Sequence, residues 1–503
     1  MENNAFADLK KALVELGYLG SVSALLGWDQ NVNVQSGGHG ARADLTGYIA
    51  GLKHHKFTSK EFEDILWKAV EFEKTGSLTS EESFIIRKTR SDLTKAKKLP
   101  SEFVESSERL FAASHEVWAN ARARSDFSLF EPYLVRIVSS KRKEADYLGY
   151  LHSPYDALMD DYEPDFTSYT VSQLFKELKA FLIPFISSIS ESKVKIRKEF
   201  LNRRFPLEQQ SEFIRTVAKS MGFDFTKGRL DTSIHPFCES LNSADVRLTT
   251  RYDEKDFINQ ALMSVIHETG HGLYEQGLRS EWFGTPLGES ISLGIHESQS
   301  RLWENLIGRS LPFWKYFFPK LQKTFPDQLR DVSLEEFYKA LNIVKPGFIR
   351  VDADEVTYNL HVIMRFEIER DLIENRLEVK DLPGVWNAKM KKYFGLKVPN
   401  DAQGVLQDIH WSCGAFGYFH TYALGNLYAA QFFAAAQEKI PTLDKKITKN
   451  SLLELREWLR KNIHVHGELY LPKDLILRVT GGTFGSDYFE DYISEKYSAI
   501  YEL

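Results

Sequence analysis

The chain has 503 residues, 43% of them hydrophobic and 13% aromatic, which is ample apolar material for a large core. A net charge of -6, with no dense basic run interleaved with aromatics, argues against a nucleic-acid partner. The two cysteines, Cys238 and Cys413, stand far apart without C-x-x-C spacing, which argues against a disulfide framework or a thiolate zinc site and fits a reducing compartment.

The opening stretch "MENNAFADLKKALVELGYLG" lacks the basic-then-apolar pattern of a signal peptide. Residues 6–29 then place Leu9, Leu13, Leu16 and Leu19 at spacings of three and four, which predicts an amphipathic helix. Residues 168–189, 452–467 and 487–503 carry the same periodicity. The clearest strand candidate is 244–252, where Val246, Leu248 and Thr250 alternate with Arg247, Thr249 and Arg251. The longest nearly apolar run, 427–436, is too short to cross a bilayer, so no membrane partner is expected. These features predict a mainly-α, soluble, cytoplasmic protein with a small β-sheet, organised as a single domain over residues 1–503.

Chemistry concentrates in "SVIHETGHGLYEQG", residues 264–277. Asp253 is the expected N-cap of a helix running from about Glu254 to Tyr274. His267 and His271 are four residues apart and so share one helical face, where two imidazoles can converge on one ion. Glu268 projects about 100° away from His267, which suits it to hold a metal-polarised water rather than the metal. A third ligand must come from elsewhere, because Glu275 lies too far along the helix rise to share an ion with His267. Residues 292–308 supply a second helix, with Glu297 as the favoured ligand, His296 as its supporting neighbour, and Glu289 and Glu304 as competitors.

These residues together resemble the carboxypeptidase Taq family of metallocarboxypeptidases. The resemblance rests on H-E-x-x-H (267–271), H-E-S-Q (296–299) and D-x-R-x-T (245–249), the last preceded by His235, Pro236 and Phe237. It extends to I-R-x-x-A-D (349–354) and G-x-x-Q-D-x-H-W (404–411), and "ALLGWDQ" and "EWLRKNIHVHG" carry it towards both ends. Departures fall at Val34-Gln35, Cys238, His420 and Gly482, none of them a proposed ligand.

The resemblance implies a large helical metallopeptidase fold with a deep active-site groove, a homodimer, and removal of single residues from peptide C-termini. It also implies one zinc or cobalt ion per chain, held by His267, His271 and Glu297. Glu268 would then act as general base and acid. His410 and Tyr422 are candidate donors to the oxyanion, with Tyr418 as the alternative tyrosine. Arg350 is the candidate for the substrate carboxylate, oriented by Asp352 or Asp354, because a guanidinium fork matches a carboxylate. Arg247 is a second candidate, and His235 and Gln407 are expected to line the pocket. A related helical zinc endopeptidase or oligopeptidase would share the metal site. An aminopeptidase is disfavoured by the lack of a G-x-M-E-N element, and a non-enzymatic metal protein by the intact Glu268.

Overall fold

The computed structural model describes residues 5–503, apart from the side chain of Ser36. Helices make up most of this length, and one three-stranded sheet is present among the described residues. The first helix spans Ala5–Val32, and its Leu9, Leu13 and Leu16 are buried as their spacing predicts. They pack with Phe62, Leu66, Ile85 and Ile86 into a small apolar cluster of their own. No helix among the described residues is long and apolar enough to cross a membrane.

The larger core surrounds two helices, Tyr358–Ile373 and His420–Lys439, that are buried on nearly every side. The second is largely apolar all round, as befits the centre of a large protein, whereas the first also buries the polar Asn359, His361, Arg365 and Glu369. The second of these packs closely against the helix Leu293–Arg301.

The sheet consists of β1 (Gly228–Thr232), β2 (Cys238–Asn242) and β3 (Asp245–Thr250), in the order β1-β3-β2. β3 pairs parallel with β1, Leu230 opposite Leu248, and antiparallel with β2, Cys238 opposite Leu248. Val246 and Leu248 are fully buried while Arg247 is half-buried, as predicted, but the alternation stops there, because Thr249 is buried beside Thr250. The other two strands are not apparent in the sequence, because "GRLDT" and "CESLN" lack an alternating apolar face.

The histidine helix also departs from expectation at its start. Asp253 does not cap it; its carboxylate accepts from the Lys255 amide at 2.7 Å in a local turn. The helix begins with a π-helical segment, Phe257–Met263, and continues as α-helix through Ser264–Gly277. A second π-helical segment, Leu302–Gly308, follows the helix Leu293–Arg301. Wide turns of this kind are frequent beside functional sites.

Candidate active site

Two helices cross to build the site, and glycine permits the crossing. A Cβ at Gly270 would stand 2.6 Å from Ser300 Cα and 2.7 Å from Gln299 O, so no larger residue fits between the histidine helix and the glutamate helix. On the other flank, a Cβ at Gly425 would meet Glu297 Cγ at 2.6 Å. Glu297 is therefore pressed towards the two histidines by the central helix behind it.

His267, His271 and Glu297 converge as predicted, with one donor atom from each lying within 4.8 Å of the others. Glu297 Oε2 is 3.7 Å from His267 Nε2 and 3.4 Å from His271 Nε2. The remaining atoms of these side chains are already engaged. His267 Nδ1 meets Glu304 Oε2 at 2.9 Å, and His271 Nδ1 meets His296 Nδ1 at 2.6 Å. Glu297 Oε1 accepts from Arg301 Nε at 2.7 Å, while Oε2 accepts from Ser300 Oγ at 3.0 Å. Two imidazole nitrogens and a carboxylate oxygen face one another with their backs satisfied, which is the donor set and outer support of a His2Glu divalent-metal site. Glu304 thus stands behind His267, outside the three-residue group, and exposed Glu289 does not join it.

Glu268 is 7% exposed. Burial, reinforced by the Glu297 and Glu304 carboxylates, pushes its carboxyl up to about 7 against the opposing pull of His267. Burial also works to raise Glu297, but the Arg301 guanidinium, His267 and His271 together outweigh it and hold that carboxyl well below its usual range. Arg301 was not singled out from sequence, although its position four residues after Glu297 on one helix could have signalled the pair.

Arg301 also leads to the second half of the site. Its guanidinium lies 4.3 Å over the Tyr358 ring, and Tyr358 OH accepts from Arg350 Nη1 at 3.0 Å. Arg350 is 5% exposed, and its Nε bonds Asp408 Oδ1 at 3.0 Å. The orienting carboxylate is therefore Asp408, not Asp352 or Asp354. Asp354 instead accepts from the amides of Lys345, Val356 and Thr357 and the Thr357 hydroxyl, shaping its own turn. Fully buried Arg365 bonds the other Asp408 oxygen at 2.6 Å. Arg350 Nη2 has no hydrogen-bond partner among the described residues.

His410 and Tyr422 sit beside this clamp. His410 Nε2 lies 3.3 Å from Tyr422 OH, and the Arg350 guanidinium is 4.9 Å from the Tyr422 ring. Burial, aided by Arg350, depresses His410 to about 3, so the ring is neutral. Tyr418 packs edge-on to Tyr422 at 5.3 Å and hydrogen-bonds to it.

Three expected pocket residues are engaged differently. Gln407 braces the backbone, accepting from Arg350 N at 2.9 Å and donating to Phe348 O at 3.0 Å. Arg247 pairs through two nitrogens with Asp245 at 2.9 Å each and lies 4.4 Å over Trp28. His235 is exposed, and its carbonyl accepts from Ser233 Oγ at 2.6 Å. None of the three is brought into the metal-facing group.

Comparison with known proteins agrees with this architecture. A match to the carboxypeptidase Taq (M32) metallopeptidase family extends over residues 8–497. Carboxypeptidase 1 of Bacillus subtilis is 39% identical over 498 residues, covering 99% of this chain and 98% of that protein. Thermostable carboxypeptidase 1 of Thermus thermophilus is 38% identical over 506 residues, covering 99% of each. The crystal structure of an M32 carboxypeptidase from Deinococcus radiodurans superposes with a TM-score of 0.95 at 38% identity, over the whole of both chains. The chain belongs to the carboxypeptidase Taq (M32) family of metallopeptidases and is a metallocarboxypeptidase, not an endopeptidase.

Proposed function

We propose that residues 1–503 act as one peptidase unit that binds a single zinc ion, with cobalt as a working substitute, through His267, His271 and Glu297. In this reading it releases single residues from peptides with a free C-terminus. The observation that carries it is the convergence of three candidate ligand atoms within 4.8 Å beside the buried Glu268. The chemistry the cation supplies when bound is Lewis acidity towards water and the scissile carbonyl.

The protein's own groups do the rest. Glu268 accepts the proton of the attacking water on a carboxylate oxygen and passes it to the leaving amine nitrogen. A carboxyl poised near 7 suits both directions of that transfer. Arg350, aligned by Asp408 and Tyr358, receives the terminal carboxylate on the guanidinium edge that Asp408 does not occupy. Tyr422, held by neutral His410 and by Tyr418, supplies the phenolic donor for the developing oxyanion. Gln407 contributes to substrate binding by holding the Arg350 backbone, and Arg247 and His235 remain candidates for contacts to the substrate. By the same family resemblance the enzyme is a homodimer, and two free cysteines fit a cytoplasmic location.

The test is an N-blocked peptide supplied as the free acid and as the C-terminal amide, with products followed by mass spectrometry. Stepwise loss of single C-terminal residues from the free acid alone is expected. Internal cuts in both peptides would overturn the exopeptidase assignment.

A further inference from the structure

The two metal-facing histidines are fixed from behind in different ways. His267 Nδ1 faces a carboxylate, whereas His271 Nδ1 faces another imidazole nitrogen, His296 Nδ1, at 2.6 Å. Two such nitrogens bond only when one carries hydrogen and the other does not. The choice is made one step further out, where His296 Nε2 lies 2.8 Å from Glu275 Oε1. An ionised carboxylate can only accept, so His296 Nε2 holds the hydrogen. When Nε2 carries the ring's hydrogen, His296 Nδ1 is the acceptor and His271 Nδ1 the donor. His271 Nε2 is left with the lone pair that metal binding requires.

Glu275 is suited to that place. It lies one helical turn beyond His271, so the pair grips His296 from a single helix. Burial works to raise its carboxyl, but His296, Ser240 on β2 and His271 together outweigh it and hold the group below its ordinary value. The His296 ring is stacked against His271 at 4.6 Å and against Tyr274 at 5.2 Å. Tyr274 is itself fixed, its hydroxyl accepting from the Ile291 amide at 3.2 Å. Neither helix alone could set this chain, because it leaves the histidine helix at His271 and returns to it at Glu275.

We infer that Glu275 is a positioning residue of the metal centre, acting through His296 to set the tautomer and ring orientation of His271. The inference rests on the assignment of His267, His271 and Glu297 as ligands. The Ser240 contact gives the sheet a part in it, since β2 closes the outer end of the relay.

The experiment measures the Zn2+ dissociation constant of the purified full-length protein by chelator competition. It compares wild type, Glu275→Ala, Glu275→Gln, His296→Ala and the Glu275→Ala/His296→Ala double variant, with apo-protein melting recorded for each. Loss of an outer partner typically weakens metal binding by about 10- to 100-fold, and that loss is expected for each alanine variant. The double variant should bind within about twofold of His296→Ala, because Glu275 then has nothing to act through. Glu275→Gln keeps an accepting oxygen and should recover most of the loss, and the visible spectrum of the Co2+ form should shift in Glu275→Ala. Zn2+ binding by Glu275→Ala within about twofold of wild type, or losses that add in the double variant, would overturn the relay. Failure of wild type to bind one Zn2+ per chain would overturn the ligand assignment itself.

Discussion

Replacing Arg350 by methionine isolates the carboxylate clamp. Methionine keeps much of the buried stem while removing the charge and the fork. The fold should survive, because Asp408 is not stranded: Arg365 still bonds its Oδ2 at 2.6 Å. The loss therefore falls on the substrate, whose terminal carboxylate would enter a buried site without its partner. Truncating one member of a buried, hydrogen-bonded charge pair costs about 2–5 kcal/mol. At 1.36 kcal/mol per tenfold, that is a fall in kcat/KM of about 30- to 5,000-fold. The assay is steady-state hydrolysis of an N-blocked dipeptide, with thermal melting as a check on folding. A fall below about threefold, in a variant that melts like wild type, would refute the clamp.

Other consequences can be checked in parallel. Glu268→Gln should still bind one metal ion per chain but lose about 10^2- to 10^4-fold in kcat, and near-normal turnover would contradict its role as base. Gly270→Ala forces a Cβ to within 2.6 Å of Ser300 Cα, so it should lose about 1–3 kcal/mol of stability in denaturant titrations together with metal affinity. An unchanged midpoint would mean that the helix crossing can relax. His420 is fully buried with both ring nitrogens unpartnered, and burial depresses it to about 3. Because that folded value lies below the ordinary value of about 6.5, its contribution to stability is present above pH 6.5 and is lost as pH falls towards 3. Wild type should therefore lose about 2 kcal/mol of stability relative to His420→Leu from pH 7 to pH 5, and an unchanged difference would contradict the assignment.

The metal-facing half of the site is legible in the sequence because its spacing is local. His267 and His271 share a face by helical geometry alone, and Glu297 belongs to a short helix with few competing carboxylates. The helix from Ala5 is readable for the same reason, since its leucines recur at turn intervals. What escapes is whatever depends on distant segments meeting. Asp408 reaches Arg350 across 58 residues of chain, whereas nearby Asp352 and Asp354 look equally suitable on paper. β1 and β2 are mostly half-buried and mixed in polarity, so only their pairing with β3 reveals them. Glu275 is too far from His267 to bind the same ion, and only the folded position of His296 gives it a connection to the site.

The most direct test of the metal assignment is diffraction from zinc-soaked crystals, recorded on both sides of the zinc absorption edge. The account predicts one anomalous peak per chain, bonded to His267 Nε2, His271 Nε2 and Glu297 Oε2, with Glu304 and His296 remaining behind the histidines. A peak bonded to Glu304 in place of Glu297, or one away from the two histidines, would contradict it.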